Sequence, residues 1–398
     1  MQVLGLIWRD PVLRMIGAAT LLYGAFSATF TPYLSLIGIG VFGLSDFAFA
    51  VLMTVTLVIS VTAALGVGIV TDQRATRKPL ALAGAGCMAV GMALVWLGNS
   101  TATFVIAHAL VLPFSATVVG QIYAVMRLYT VSHHAPELRD GITSAIRALF
   151  AVPFAILLPL WAIAFDAGLP LLRIYPAMLG LSLLFLWLIW RHWPADATAP
   201  WVEEKSALSL RASLAEVLAS SIVWRLVAMG AVHSGSVLMG VLLALLFDTA
   251  SGRGPGDVGL FFGAFVFFEV LVMLGVGSLG RYLRRLHIIC IGAVFYALFL
   301  GLLPVLAPFT SVWFLILPAA LGGGMIYGLS ISYLQDLLSS RAGAGSSLVA
   351  LQRLVSEGMA ALIFAIGTAL AGYALTAFIG AVLILCGAVA LLLLDRNQ

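Results

Sequence analysis

A few ionisable side chains stand inside long apolar stretches of this sequence, and these residues could carry chemistry. Glu269 lies near the middle of LFFGAFVFFEVLVMLGVG, about a dozen residues from either end of the apolar run 257–279. An ionisable group at membrane depth costs about 2.5–3.5 kcal/mol on insertion scales, so it needs a partner or a cavity. A carboxyl group at that depth can take up and release a proton. Glu269 is therefore the candidate proton-coupling residue, and the alternative is a structural hydrogen bond between helices.

Two arginines and a second glutamate are the other charged candidates. Arg353 and Glu357 are four residues apart, so a helix would place them on one face. Either they neutralise each other, or Arg353 binds an anionic or hydroxyl-rich ligand. Arg147 lies one to two turns into SAIRALFAVPFAILLP, about 6–9 Å from the polar end at 1.5 Å per residue. Arg147 either extends back to the surface or contacts a ligand.

Neutral polar and aromatic side chains could complete a site for a small molecule. A lone histidine such as His233 or His108 is either a hydrogen-bond donor in the core or a proton relay. Aromatic rings, Tyr327 among them, could form a wall for a sugar or an amphipathic drug. The predicted substrate-binding residues are Arg147, Tyr33, Phe30, Gln121, His233, Gln352, Arg353 and Glu357.

The sequence lacks the patterns of a metal site, a catalytic site or a nucleotide-binding site. His, Cys and carboxylate residues show no metal-ligand spacing, so we expect no metal. The sequence has no nucleophile–base motif and no phosphate-binding loop of the P-loop type. We therefore expect no enzyme activity and no cofactor, and no energy source other than an ion gradient.

Composition indicates that membrane-spanning helices position these residues. Hydrophobic residues make up 63% of the 398 residues, charged residues 9%, and the mean hydropathy is +1.14. A soluble domain has roughly 25% charged residues, and a membrane span needs about 20 apolar residues. The sequence predicts an all-α integral membrane protein with twelve spans, at 11–38, 46–70, 79–98, 101–128, 142–165, 168–190, 217–247, 257–279, 286–306, 310–335, 345–369 and 371–394.

The polar segments divide these spans into two halves. The longest polar stretch lies near the middle and carries Pro194 and Pro200. It predicts a linker at 191–213 between six-helix halves at 1–190 and 214–398. The first span exceeds the thickness of a bilayer, so we expect it to tilt or break near Pro32.

The distribution of basic residues predicts the orientation. With both termini in the cytoplasm, sixteen of the 20 Lys and Arg residues fall on the cytoplasmic side. Arg173 and Arg253 fall on the opposite side, and Arg147 and Arg353 lie within spans. This asymmetry is a strong positive-inside signal. It also accounts for the net charge of +4, so nucleic acid is not an expected partner.

A repeated phrase supports a duplication. Residues 66–78 read GVGIVTDQRATRK, and residues 275–287 read GVGSLGRYLRRLH. Each copy ends an apolar run with glycines and then places basic residues in a short loop. Two related membrane halves with a binding site near the midplane are typical of secondary transporters.

The first copy resembles the cytoplasmic loop motif of the major facilitator superfamily, through Gly68, Asp72, Arg74, Arg77 and Lys78. In the second copy Arg281 stands where that motif has its acid. The resemblance implies a charge network at a cytoplasmic gate. The predicted gate residues are Asp72, Arg74, Arg77, Arg127, Arg139, Asp336 and Arg341.

Three further stretches resemble the bacterial sugar efflux transporter family of that superfamily. They are residues 124–161, which include Arg147, Pro153 and Pro159, residues 334–344 with the pattern QDLL…RAGA, and residues 267–270 around Glu269. The first span departs from the family because Phe30 or Thr31 stands where the family carries a glutamine. Arg353 and Glu357 add charges where the family is neutral.

The resemblance implies a proton-coupled exporter of sugars or glycosides in the bacterial inner membrane. Its partners would be a small-molecule substrate, protons and the lipid bilayer, and we expect a monomer. A drug or metabolite exporter of the same fold is the alternative, and a receptor or scaffold that does not transport is a third.

Overall fold

A computed structural model describes residues 2–74, 76–200, 220–279, 282–337 and 342–395. Within these ranges some side chains also lie outside the description, among them those of Asp72, Arg74 and Asp336. The regular structure of the described residues is helical throughout.

The described residues form thirteen α-helices, numbered here in chain order. They are α1 Gln2–Arg9, α2 Pro11–Phe30, α3 Asp46–Arg74, α4 Lys78–Gly98, α5 Thr101–Ile106, α6 Ala116–His133, α7 Pro136–Asp166, α8 Ile174–His192, α9 Ser220–Thr249, α10 Pro255–Leu279, α11 Arg285–Leu306, α12 Ile316–Asp336 and α13 Ala342–Asp395.

The membrane spans match the predicted architecture. Among the described residues, 11 helical segments are long and apolar enough to cross a membrane. The last of them, Leu351–Asp395, has 45 residues and includes a kink at Ala371 and Gly372, where Gly372 has φ +79°. Its two arms correspond to the predicted eleventh and twelfth spans. The predicted all-helical, twelve-span fold is confirmed when these arms are counted separately.

The α-helix is interrupted in two crossings. The first changes from α2 to a 3-10 turn at Thr31–Tyr33 and then to a π-helix at Leu36–Val41, so the break predicted near Pro32 is confirmed. The fourth crossing contains a π-helix at Ala107–Val111 and a 3-10 turn at Leu112–Ser115. The sequence analysis did not predict this second break, although Pro113 is the residue that disrupts the helical hydrogen bonds there.

Local signals in the sequence explain several helix ends. Asp10 accepts hydrogen bonds from the backbone N–H groups of Val12 and Leu13 at the start of α2, as an N-cap residue does. Ser100 and Thr103 form a capping box at the start of α5. Asn99 ends α4 in a left-handed conformation with φ +38°.

Contacts group the chain into two compact units. Unit 1 contains Met1–Thr31 and Val55–Ala207, and unit 2 contains Pro32–Thr54 and Leu208–Gln398. Residues 201–219 of the predicted linker and its flank lie outside the described residues. The division predicted from the sequence, at 191–213, stays a prediction.

The early segment 32–54 is bound within unit 2 by specific contacts. Ser35 Oγ donates a hydrogen bond to the carbonyl of Val241 at 2.7 Å. The Tyr373 hydroxyl donates to Asp46 at 2.9 Å, and Phe49 packs edge-on against Phe364. These contacts join segments far apart in the sequence into one unit.

Candidate functional site

Glu269 lies in the middle of α10, where the glycines of α12 pass directly over it. A Cβ atom at Gly323 would overlap Glu269 Oε1, and a Cβ atom at Gly324 would lie 2.9 Å from the Glu269 carbonyl oxygen. Glu269 Oε1 is buried and has no hydrogen-bond partner among the described residues. Because buried polar atoms are nearly always satisfied, an exception in a native structure calls for an explanation.

Tyr327 connects Glu269 with the other predicted residues of unit 2. It follows Gly323 by one helical turn on α12, so both lie on the same face. Glu269, Arg353 and Glu357 are all within electrostatic range of its hydroxyl group. Its ring packs edge-on against His233, with the ring centroids 5.2 Å apart. Unit 2 therefore brings four of the predicted residues around one tyrosine.

Arg353 and Glu357 form the ion pair that their spacing predicts. The guanidinium Nε of Arg353 donates to Glu357 Oε1. The side chain of Arg353 is 67% exposed and that of Glu357 is 25% exposed, so the pair itself contributes about 0–1 kcal/mol. Gln352, next to Arg353, is buried.

His233 is a buried residue of α9 with a partner on its own helix. Its Nδ1 lies 3.1 Å from the carbonyl oxygen of Met229. This hydrogen bond matches the interpretation of His233 as a satisfied core residue. The edge-on contact with Tyr327 still places it at the site.

A second arrangement lies in unit 1, where a predicted gate residue meets a predicted substrate-binding residue. Arg77 is 6% exposed, and its Nη1 donates to Gln121 Oε1 at 2.9 Å. Both residues line a cavity of about 210 Å³ together with Gly68, Thr71 and Thr117.

Asp196, in the predicted linker, forms a hydrogen bond with Arg77, which lines this cavity. Asp196 was not among the residues predicted from the sequence. Its Oδ1 accepts hydrogen bonds from the backbone N–H groups of Arg77 and Lys78 at 3.0 and 3.1 Å. Asp196 thus caps the start of α4 from 118 residues away. No local pattern could have revealed this, because the cap and the helix are distant in the sequence.

The remaining predicted gate residues show no shared network among the described side chains. Arg127 is exposed. Arg139 donates to the carbonyl oxygens of His134 and Val131, both at 3.0 Å, and so closes the end of α6. The side chains of Asp72, Arg74 and Asp336, and all of Arg341, lie outside the description.

The other predicted substrate-binding residues are spread over both units. Arg147 is exposed on α7 and lies within electrostatic range of the Tyr123 hydroxyl. Tyr33 is fully buried in unit 2. Phe30 is half-buried in unit 1 and stacks on His108, with parallel rings 5.0 Å apart.

His108 is the centre of an aromatic cluster at the break in the fourth crossing. Its Nε2 lies 3.1 Å from the Tyr175 hydroxyl, and its ring also packs against Phe104. Thr56 donates to the His108 carbonyl at 2.9 Å. This bond satisfies a backbone oxygen next to the π-helix.

Each unit also has a tyrosine–carboxylate contact that the sequence analysis missed. Tyr129 donates to Asp10 at 2.7 Å in unit 1. In unit 2, Tyr333 donates to Asp395 at 3.2 Å, and Arg225 donates to the same carboxylate at 2.7 Å. The separation in sequence between Tyr129 and Tyr333 equals that between Tyr123 and Tyr327. The repeat could therefore have indicated that the two contacts correspond.

Comparison with solved structures identifies the fold. The chain is similar to the nucleoside transporter NupG, with a TM-score of 0.78 and 13% identity over 97% of this chain and 100% of that one. It is similar to the peptide transporter POT, with a TM-score of 0.74 and 13% identity over 97% and 94% of the two chains. A D-xylose–proton symporter gives a TM-score of 0.72 and 14% identity over 95% and 96%.

No protein-family model matches the sequence, and no curated protein matches it. The similarity therefore lies in the fold alone. Each of these neighbours is a transporter. The chain therefore shares its fold with these solved transporters.

Proposed function

We propose that this protein is a secondary transporter that couples movement of a small polar molecule to movement of protons by alternating access. The observation that carries the proposal is the Glu269 carboxyl group, with Oε1 buried and unpartnered among the described residues. Ionisable residues within spans are rare and mark substrate and proton pathways. Glu269 is the protonation site in this proposal.

The surroundings of Glu269 support a substrate that can form hydrogen bonds. Arg353 and Glu357 offer a guanidinium group and a carboxylate near the Tyr327 hydroxyl. Sugars and glycosides carry the hydroxyl groups that such residues bind. Export of these compounds across a bacterial inner membrane, by a monomer, is the finer proposal, and it rests on the resemblance described above.

In unit 1, Arg77 and Gln121 support a role near the cytoplasmic end of the pathway. Their hydrogen bond lines a cavity, and the positive-inside pattern places Arg77 at the cytoplasmic side. We propose that Arg77, with Asp72 and Arg74, belongs to a gate. Arg147 is proposed as a ligand or coupling residue because it is exposed on α7.

A drug exporter is the second candidate, and the aromatic cluster of unit 1 favours it. Tyr23 packs near Phe26, Phe150 and Phe185, and Phe30 stacks on His108. Such a group of rings suits an amphipathic, ring-bearing compound. The two candidates differ in ligand class and share the proton site.

Proteoliposomes with a pH-sensitive dye inside test the proposed function. Purified protein is reconstituted, and glucose, lactose, a methyl glucoside, uridine and an amphipathic cation are added separately outside. We expect at least one compound to change the internal pH, with no change in liposomes that lack protein. If none of the compounds moves protons, the proposed coupling is wrong.

A further inference from the structure

Tyr327 presents an aromatic surface whose orientation is fixed. The residue is 38% exposed. Its ring also packs at 90° against buried His233. An exposed ring held on one side by a buried neighbour is already arranged for a contact partner.

The chemical surroundings indicate that this surface does not face lipid. Glu269, Arg353 and Glu357 all act electrostatically on Tyr327. Ionisable residues within spans face the bundle interior or a water-filled cavity. By contrast, α11 exposes a purely apolar stripe through Ile291, Val294, Leu298, Leu302 and Val305, which is what a lipid-facing surface looks like.

The glycines of α12 place the ring beside the carboxyl group. Gly323 lies one turn before Tyr327 on the same helix face, and a side chain there would overlap Glu269 Oε1. The tyrosine ring and the Glu269 carboxyl group therefore lie about one helical turn apart along α12. A flat apolar ring flanked by a carboxyl and a guanidinium group suits a flat molecule with a polar rim.

We propose that Tyr327 is a substrate-binding residue on which a ring of the transported molecule stacks. The substrate class is a polar compound with a pyranose or planar heterocyclic ring. The proposal rests on the proposed transport function and adds to it the shape of the ligand. Glu269 and Arg353 would bind the polar rim of that ring, and His233 would position the tyrosine.

The first test asks whether the Tyr327 position is reached by water. Single-cysteine variants Tyr327→Cys and Leu298→Cys are made in a chain whose Cys87, Cys290 and Cys386 are replaced by alanine. Each is placed in lipid nanodiscs and treated with a charged, membrane-impermeant methanethiosulfonate reagent. We expect fast labelling at position 327 and slow labelling at position 298, on the apolar stripe.

The second test measures binding and does not depend on proton coupling. A thermal-shift titration compares a methyl glucoside and uridine with sorbitol, which has hydroxyl groups but no ring. We expect the ring compounds to bind the wild-type protein more tightly than sorbitol. Tyr327→Leu should weaken binding of the ring compounds about tenfold, and Tyr327→Phe should keep most of the affinity because the ring remains.

The outcomes separate this inference from the proposed proton coupling. Slow labelling at position 327, no binding of either ring compound, or equal affinities for wild type and Tyr327→Leu would each overturn the stacking role. If Tyr327→Leu weakens binding but no compound moves protons, the stacking site stands and the coupling fails.

Discussion

At the scale of single residues, the contact between Gly323 and Glu269 decides where the carboxyl group lies. The absence of a side chain at Gly323 leaves space for Glu269 Oε1, which a Cβ atom would overlap. If Gly323 carried a Cβ atom, Glu269 Oε1 would have to move, and this atom is the end of a flexible side chain. A small change at Gly323 should therefore alter the proposed proton site more than the fold.

We expect Gly323→Ala to displace the Glu269 carboxyl group and to reduce proton-coupled transport strongly. The stability loss should be about 1 kcal/mol, at the low end for overpacking. Proton flux and thermal unfolding are measured on the same preparation. Gly240→Ala on α9 is the control because its Cβ would meet no atom within 4 Å, and normal flux in Gly323→Ala would contradict the assignment.

The charged pair shows what could be predicted from single residues. The i, i+4 spacing of Arg353 and Glu357 predicted their ion pair because both partners lie on one helix. The depth of Glu269 in its apolar run predicted a site there. Its contact with Gly323 depends on how α10 packs against α12, and no pattern within either helix contains that information.

At the scale of helices, the close approach of α11 and α12 is made at glycines. A Cβ atom at Gly322 would lie 2.7 Å from the backbone nitrogen of Tyr296 and 2.8 Å from the carbonyl oxygen of Gly292. Backbone atoms cannot move aside as a flexible side chain can. The neighbouring glycines of α12 therefore have different roles. Gly322 allows the close approach of the α11 backbone, and Gly323 leaves space for the Glu269 side chain.

We expect Gly322→Ala to destabilise the protein by about 3 kcal/mol, the upper range for overpacking. The apparent melting temperature in detergent, followed by tryptophan fluorescence, measures the change against Gly323→Ala. If the two variants are equally stable, α11 and α12 do not pack at Gly322 as described.

The kink in α13 provides a separate prediction about an element. Gly372 has φ +79° and ψ −162°, a region that other residues enter at a cost of about 1–3 kcal/mol. We expect Gly372→Ala to lower the melting temperature. Gly301→Ala is the control, since its Cβ would make an ordinary contact at 3.6 Å, and equal melting temperatures would argue against the kink.

The helix breaks show how far sequence patterns predict elements. The break near Pro32 was predicted because its apolar run was too long for one span. The break at Pro113 was not, because residues 101–128 read as one continuous apolar run. In the structure, the π-helix at Ala107–Val111 is accompanied by the contacts of His108 with Phe30, Tyr175 and Phe104. Phe30 and Tyr175 come from other parts of the sequence.

At the scale of the whole molecule, the basic residues predict which end faces the cytoplasm. Arg173 and Arg253 are the two that the positive-inside pattern places on the opposite side. Arg253 donates hydrogen bonds to Asp257 and to the carbonyl oxygens of Ala307 and Phe309, so in the structure it joins chain segments at its end of unit 2.

Reporter fusions test this orientation. We expect a fluorescent protein fused to the C-terminus to be bright, and alkaline phosphatase fused after Arg173 or Arg253 to be active. An active phosphatase at the C-terminus, with inactive fusions at the two arginines, would reverse the predicted topology. The gate assigned to Arg77 would then lie on the other side of the membrane.

Proton coupling through Glu269 is the central claim, and Glu269→Gln tests it most directly. Gln keeps the shape of the side chain but cannot exchange a proton. The variant is reconstituted beside the wild type and beside Asp257→Asn, which changes a carboxylate in the first turn of the same helix.

The measurement is the flux of a radiolabelled compound that the wild type carries, driven either by a pH gradient or by exchange against the same compound. We predict that Glu269→Gln loses the flux driven by the pH gradient and keeps exchange, while Asp257→Asn keeps both. Accumulation by Glu269→Gln in response to a pH gradient, at the wild-type level, would contradict the account.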